Sequence, residues 1–213
     1  MHTTYDFQSN GQVANRMYHR EDGSVAVVAM MSHDYNQSAS DRGTAYNFFD
    51  GSSWGDYPYE RAEANATGYD MRTGWPSIAP YGENGEILVN HSDGLNYYIR
   101  ETAGEGLWDG PYSIPAFDYS YSLSWPRVVT SGENNEIIPV FSAANGNDGR
   151  TAQFYSRFDG EEWTTQWSPL YNTNEHIGIY NADDYCISAN GSVVAVVYAT
   201  PFYGDVLMYK STD

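Results

Sequence analysis

The chain has 213 residues, with 28 acidic and 10 basic side chains and a formal net charge of −18 at neutral pH. That balance repels phosphate backbones and anionic lipid surfaces, so neither nucleic-acid binding nor direct membrane insertion is expected, and no apolar run reaches the ~18 residues of a membrane span. An apolar share of 41 % can build a substantial core, and an aromatic share of 16 % favours strands over helices.

The first recognisable unit contains Asn15-Arg16-Met17-Tyr18, then Asp22-Gly23 ahead of the apolar run from Val25 to Met31, then Ser40-Asp41-Arg42-Gly43. It ends in Phe49-Asp50-Gly51-Ser52-Ser53-Trp54. The second unit opens on Arg72-Thr73-Gly74-Trp75-Pro76-Ser77-Ile78 and continues into Gly82-Glu83-Asn84-Gly85-Glu86-Ile87. Fifty positions later both motifs recur in register, as Trp125-Pro126-Arg127-Val128 and Gly132-Glu133-Asn134-Asn135-Glu136-Ile137. Phe158-Asp159-Gly160-Glu161-Glu162-Trp163 repeats the Asp-Gly-x-x-Trp pattern, with Trp108 at a similar place between the two copies. Asn190-Gly191 precedes a last apolar run, Val193 to Tyr198.

Repetition at about fifty residues marks a repeat architecture. In each copy an Asn/Asp-Gly or Asn-Asn pair, tolerant of positive φ, joins two β-rich runs as a hairpin, and a second hairpin follows. The fold expected is all-β: a β-propeller of four-stranded antiparallel blades at 11–68, 69–122, 123–181 and 182–213. The last blade is incomplete, giving about three and a half blades of an expected six or more. Open terminal faces would then be covered by further blades of a longer chain or by an oligomeric partner.

The turn motifs resemble the Asp boxes (BNR repeats) of sialidase-like propellers, Ser-x-Asp-x-Gly-x-x-Trp, with the Asp one position nearer the Trp here. Ser211-Thr212-Asp213 is similar to the start of another box. The stretch from Tyr5-Asp6-Phe7 to Trp54, with Arg72 to Pro76 and Gly82 to Ile87, also resembles secreted Bacteroidetes propellers exported by the type IX route. The resemblance implies a secreted or cell-surface location, although no signal peptide follows Met1. It gives Asp50, Trp54, Asp159, Trp163 and Asp213 a structural role: the carboxylate accepts turn N–H groups and the Trp covers the blade edge.

Sialidases grip a substrate carboxylate with three Arg, use an early Asp as acid/base and take a Tyr–Glu pair from later blades as nucleophile. Arg16 stands where the first Arg would, without the usual Pro after it, and Asp41 where the early Asp would. If the chain is a sialidase-type hydrolase these two are its catalytic candidates; otherwise Arg16 pairs with acids and Asp41 opens a turn. Arg72, Trp75, Trp125 and Arg127 are candidate ligand-binding residues, because strands that open a blade line the central channel, where aromatic faces stack on sugars and guanidinium groups take carboxylates. The alternative is that Trp-Pro packs between blades. The functional expectation is a binding or scaffold propeller for a glycan or surface polymer, with a sialidase-type hydrolase or a purely structural module as alternatives.

No cofactor is expected. His33, His91 and His176 lack metal-ligand spacing, and Asn145-Gly146-Asn147-Asp148-Gly149 has the alternating oxygens of a calcium loop but Ser156 at the twelfth position. Cys186 allows no internal disulfide, and its place in Tyr185-Cys186-Ile187 reads as core filler.

Overall fold

The structure is a computed structural model that describes residues 15–34, 39–116, 121–146, 151–167, 185–199 and 206–211. Asp213, His176 and residues 147–149 of the Asn/Gly loop lie outside them. Among the described residues are fourteen strands and one short 3-10 turn, Ala62–Asn65. The strands form four antiparallel sheets that follow one another along the chain. The first holds β1 (Met17–His19), β2 (Val25–Met31) and β3 (Gly43–Phe49), and the second β4 (Gly74–Tyr81), β5 (Gly85–His91), β6 (Leu95–Arg100) and β7 (Asp109–Ser113). The third holds β8 (Tyr121–Val128), β9 (Ile138–Gly146), β10 (Thr151–Phe158) and β11 (Trp163–Trp167); the fourth holds β12 (Tyr185–Asn190), β13 (Val193–Ala199) and β14 (Val206–Ser211). The all-β propeller architecture expected from the repeat is what the chain adopts, with one correction to the four-stranded blades expected. The first sheet has three strands, because after β3 the chain returns to it only in an isolated bridge, Phe49 to Trp54, in place of a fourth.

Side-chain alternation stacks the sheets face to face. On β2, Ala26 and Val28 turn toward Ile78, Leu88 and Tyr98 of the second sheet and toward Trp108, just ahead of β7. Every residue of β5 is buried. Leu88 faces the first sheet, whereas Ile87 and Val89 face Val128, Val140 and Phe154 of the third. Phe141 and Ala143 of β9 then meet Tyr185, Ile187, Val194 and Val196 of the fourth. Cys186 lies on the opposite side of β12 from that core and is exposed, which corrects its reading as core filler.

The hairpins fall where the sequence pattern places them, though the residue with positive φ varies. It is Gly23 in the first sheet, Gly82 rather than Gly85 in the second, Asn135 with Gly132 in the third, and Gly191 in the fourth. At the Asp-Gly-x-x-Trp turns, Asp50 Oδ1 accepts from Ser52 N and Ser53 N at 2.8 Å each, and Asp159 Oδ1 from Glu161 N and Glu162 N at 3.0 Å each. These donors, Ser53 N foremost, hold the Asp50 carboxyl down to about 2. Trp54 packs its ring on Phe49, while Trp163 reaches Tyr97 of the neighbouring sheet. Trp108 differs from both: it is buried and forms a parallel bridge to Ala66.

The first strand of each sheet, β1, β4, β8 and β12, is a sheet edge. These edges meet at Asn15, whose carbonyl accepts from Ile78 N at 2.7 Å and Ser77 Oγ at 3.1 Å. Its side-chain amide donates to Val128 O at 3.1 Å and Ile187 O at 3.2 Å. Farther out, a buried ion pair within the second sheet is met by Tyr18 and Tyr46 of the first. Arg100 Nε donates to Glu86 Oε1 at 2.5 Å, Tyr18 donates to Glu86 Oε2 at 2.6 Å, and the guanidinium lies over the rings of Tyr46 and Trp108 at 4.1 and 4.2 Å.

Glu86→Ala strands the Arg100 cation in that aromatic sandwich and is expected to destabilise the fold by about 3–5 kcal/mol. Asn15→Ala leaves two inner-strand carbonyls without their donor and should cost about 1–3 kcal/mol. Urea unfolding measures both, and the larger effect belongs to Glu86→Ala.

Candidate functional site

The repeated Trp-Pro pair builds two matching bulges. Pairing of β4 with β5 jumps between Gly74 and Ser77, and pairing of β8 with β9 jumps between Ser124 and Arg127. Pro suits the interruption because it has no N–H to give to a ladder. The Trp before each Pro takes a left-handed conformation, φ +49° at Trp75 and +51° at Trp125. A non-Gly residue held there carries strain of about 1–3 kcal/mol, so the same arrangement in two sheets marks a constrained place. The two indoles meet edge to face at 6.2 Å.

His91, at the end of β5, fills the angle between them. Its ring stacks on Trp75 at 4.9 Å and meets Trp125 edge-on at 6.0 Å. Its Nδ1 accepts the backbone N–H of Trp125 at 2.7 Å, so the neutral ring carries its proton on Nε2. Burial, with the Arg42 and Arg72 charges nearby, pushes its pKa down to about 3.

Guanidinium groups flank this aromatic step on both sides. Arg42 lies over the Trp75 ring at 4.8 Å and donates from Nε to Thr73 O at 3.1 Å. Arg72 donates from Nε to Ala39 O at 3.2 Å, and burial together with the Arg72 charge lowers the pKa of Arg42. On the other side Arg127 is buried over the Tyr185 ring at 3.9 Å, and the Tyr185 hydroxyl donates to the Trp125 carbonyl. Arg16 sits beside Arg127: burial, and then the Arg127 charge, lower its pKa. Four of the ten basic side chains of a chain of charge −18 therefore gather at one end of the inner strands. Such a cluster has the chemistry to hold an anion, since guanidinium donors match a carboxylate and each cation's field adds to the next.

Glu63 positions one half of the cluster. It is 1 % exposed and accepts from Thr44 N at 2.9 Å, Thr44 Oγ1 at 2.7 Å, Asn90 Nδ2 at 2.8 Å and Thr73 Oγ1. Thr73 neighbours Arg72, Asn90 neighbours His91, and Thr44 lies two residues from Arg42. The close approach depends on Gly43, where a Cβ would stand 2.7 Å from Glu63 Oε2 and collide with the Arg61 side chain.

Asp41 is next to Arg42, but its carboxylate is turned into its own loop. It accepts from Ser32 Oγ, from His33 N at 2.8 Å and from Asp34 N at 3.1 Å. Burial alone would raise its pKa; the hydrogen bonds more than offset this and hold it below the ordinary carboxylate range. A carboxylate so engaged stays ionised at neutral pH and has no proton to give.

Of the residues singled out from sequence, Arg16, Arg72, Trp75, Trp125 and Arg127 belong to one contiguous arrangement, with Asp41 at its border. Asp50, Trp54, Asp159 and Trp163 are at the outer turns. Arg42, His91, Tyr185 and Glu63 complete the site without standing out in the sequence. Arg42 adjoins Asp41 in the quoted Ser40-Asp41-Arg42-Gly43 motif, whereas nothing in the letters marks Glu63. Among the described residues no group of His, Cys, Asp and Glu is placed to hold a metal ion.

No family model matches the chain, and no curated protein matches it in sequence. Solved structures do resemble it. An α-L-arabinofuranosidase (CtGH43) from Clostridium thermocellum superposes with a TM-score of 0.54 at 11 % identity, over 99 % of this chain and 73 % of that one. The Trypanosoma rangeli sialidase gives 0.54 at 13 %, over 95 % and 37 %, and an endo-arabinase from Bacteroides thetaiotaomicron 0.51 at 11 %, over 92 % and 72 %. At such identities the likeness is one of fold: a propeller shared with glycoside hydrolases.

The His91 environment generates a pH dependence. An imidazole in the unfolded chain binds a proton near pH 6.5, whereas His91 in the fold stays neutral to about 3. Its contribution is complete above about pH 6.5 and is lost as pH falls toward 3, at about 1.4 kcal/mol per pH unit. His91→Asn keeps an acceptor for the Trp125 N–H and cannot titrate. Urea midpoints between pH 7 and 4 should fall less steeply in this variant, and an unchanged slope would contradict the assignment.

Proposed function

We propose that the chain is a carbohydrate-binding propeller module that takes an acidic sugar at the mouth formed by Arg16, Arg42, Arg72 and Arg127 around Trp75, His91 and Trp125. The observation that carries this reading is the gathering of four guanidinium groups on an aromatic step in an otherwise strongly acidic chain. The arginines supply charge and paired donors for a carboxylate, and the indole faces supply the apolar surface that sugar C–H groups cover. A secreted or cell-surface location, with a glycan or surface polymer as partner, agrees with the resemblance in the turn motifs. Further blades or an oligomeric partner would cover the outer faces.

Hydrolysis of a terminal acidic sugar is the second reading, favoured by the order Arg16–Asp41 and by a fold shared with glycosidases. The engaged, ionised Asp41 supports binding over acid catalysis.

Calorimetry with 3′-sialyllactose and lactose tests the proposal. The acidic trisaccharide should bind and lactose should not, and Arg127→Ala should weaken binding by about tenfold or more, as loss of a charged hydrogen bond does. Equal affinity for lactose overturns it. Release of fluorophore from an aryl sialoside, abolished by Asp41→Ala, would replace it with the hydrolase.

A further inference from the structure

His91 holds a hydrogen-bond donor that the fold does not use. Its Nδ1 is taken by the Trp125 N–H, so the proton stands on Nε2, and the residue is only 6 % exposed. Among the described residues no acceptor lies within reach of that Nε2–H. A buried donor without an acceptor is a cost to the fold. Its immediate neighbours cannot supply one. Arg42 and Arg72, whose charges bear on the ring, are donors only, and the indoles of Trp75 and Trp125 each present an N–H.

The donor is also held still. Stacking on Trp75 at 4.9 Å, edge contact with Trp125 at 6.0 Å and the 2.7 Å bond from the Trp125 backbone fix the ring. Both tryptophans are themselves held in left-handed bulges, φ +49° and +51°. A ring so fixed loses no further rotamer freedom when it meets a partner. The neighbours also decide what that partner is. A sugar hydroxyl accepting from Nε2–H would turn its own proton toward guanidinium and indole donors. A carboxylate only accepts, and it gains from the charges of Arg42 and Arg72 as well.

Resting on the acidic-sugar reading of the mouth, we infer that His91 is a ligand-contacting residue whose Nε2–H donates to a carboxylate oxygen of the bound sugar, beside Arg42 and Arg72. The neutral imidazole adds a directed hydrogen bond without adding a charge. The arginines attract the anion, and His91 fixes how its carboxylate is turned. Trp75 and Trp125 act through His91 as positioning residues.

The test combines calorimetry with nitrogen-15 NMR of the imidazole at pH 7, using the methyl glycoside of sialic acid as probe and lactose as control. In the wild type the Nε2–H signal of His91 should shift when the probe binds, while Nδ1 keeps the position of an accepting nitrogen. Lactose should move neither. His91→Asn places an amide oxygen where Nδ1 stood, so it keeps the Trp125 bond and lacks the outer donor; its missing signal also assigns His91. This variant should bind the probe about tenfold or more weakly, the loss expected of one hydrogen bond to a charged group. Should the variant fail to fold, the wild-type shift alone decides. A probe that binds while Nε2–H stays unmoved, or that binds folded His91→Asn as tightly as the wild type, overturns the His91 contact while the acidic-sugar reading stands. An equal Nε2–H shift with lactose overturns the carboxylate as its acceptor. No binding of the probe removes the acidic-sugar reading and this inference together.

Discussion

Asn15 touches the first strands of three sheets while lying just ahead of the first strand of its own. That reach answers a problem every propeller has at its centre. The innermost strand of each blade is an edge, with N–H and C=O groups turned toward the axis and no ladder to take them. Here one amide side chain and one carbonyl serve Ile78, Val128 and Ile187, and Ser77 relays the network by donating to Asn15 O and accepting from Val128 N at 2.9 Å. The inner edges are thereby held at fixed separations, and the face-to-face packing of the sheets follows from that spacing.

The same fixed spacing permits the arginine mouth. Arg16, Trp75 and Tyr185 stand at or beside the beginning of an inner strand and Trp125 and Arg127 near the end of β8, so holding these strands together brings their side chains together. Like charges gathered in this way repel one another and lose hydration on burial, and the lowered pKa values of Arg16 and Arg42 record both effects. The fold supports the arrangement with rigid neighbours: Glu63 and its donors behind Arg42 and Arg72, and the neutral His91 wedge between the indoles. The Glu86–Arg100 pair, by contrast, is a structural use of charge. Its ions neutralise each other, and aromatic rings cover the cation.

A shared fold does not carry a shared reaction. The propeller glycosidases that resemble this chain place varied chemistry on one scaffold, so a function for this chain has to be argued from its own side chains. The environment of Asp41 is the clearest case. Its position along the chain suits an acid, while its three hydrogen bonds within residues 32–34 make it a fixed, ionised part of the loop that presents Arg42.

Fold and site were legible to different depths. Strand alternation, the Asn/Asp-Gly hairpins and the fifty-residue recurrence are local or periodic, so the sequence alone determined an all-β repeat and picked out Trp75 and Trp125 as equivalent. It also marked Arg72 and Arg127 by their place on or beside strands that open a blade, and Arg16 by its place in the sialidase resemblance. What the letters do not contain is sequence-distant proximity. That His91 lies between Trp75 and Trp125, that Tyr185 supports both Arg127 and the Trp125 carbonyl, and that Glu63 collects Thr44, Thr73 and Asn90 all depend on how separate sheets pack. Trp108 shows the converse: its spacing matches the turn tryptophans, yet packing buries it over Arg100. Local propensity and repetition set which strands form. Only the tertiary structure decided which side chains share one mouth, because burial, hydrogen-bond satisfaction and charge proximity are properties of assembled sheets rather than of any one of them.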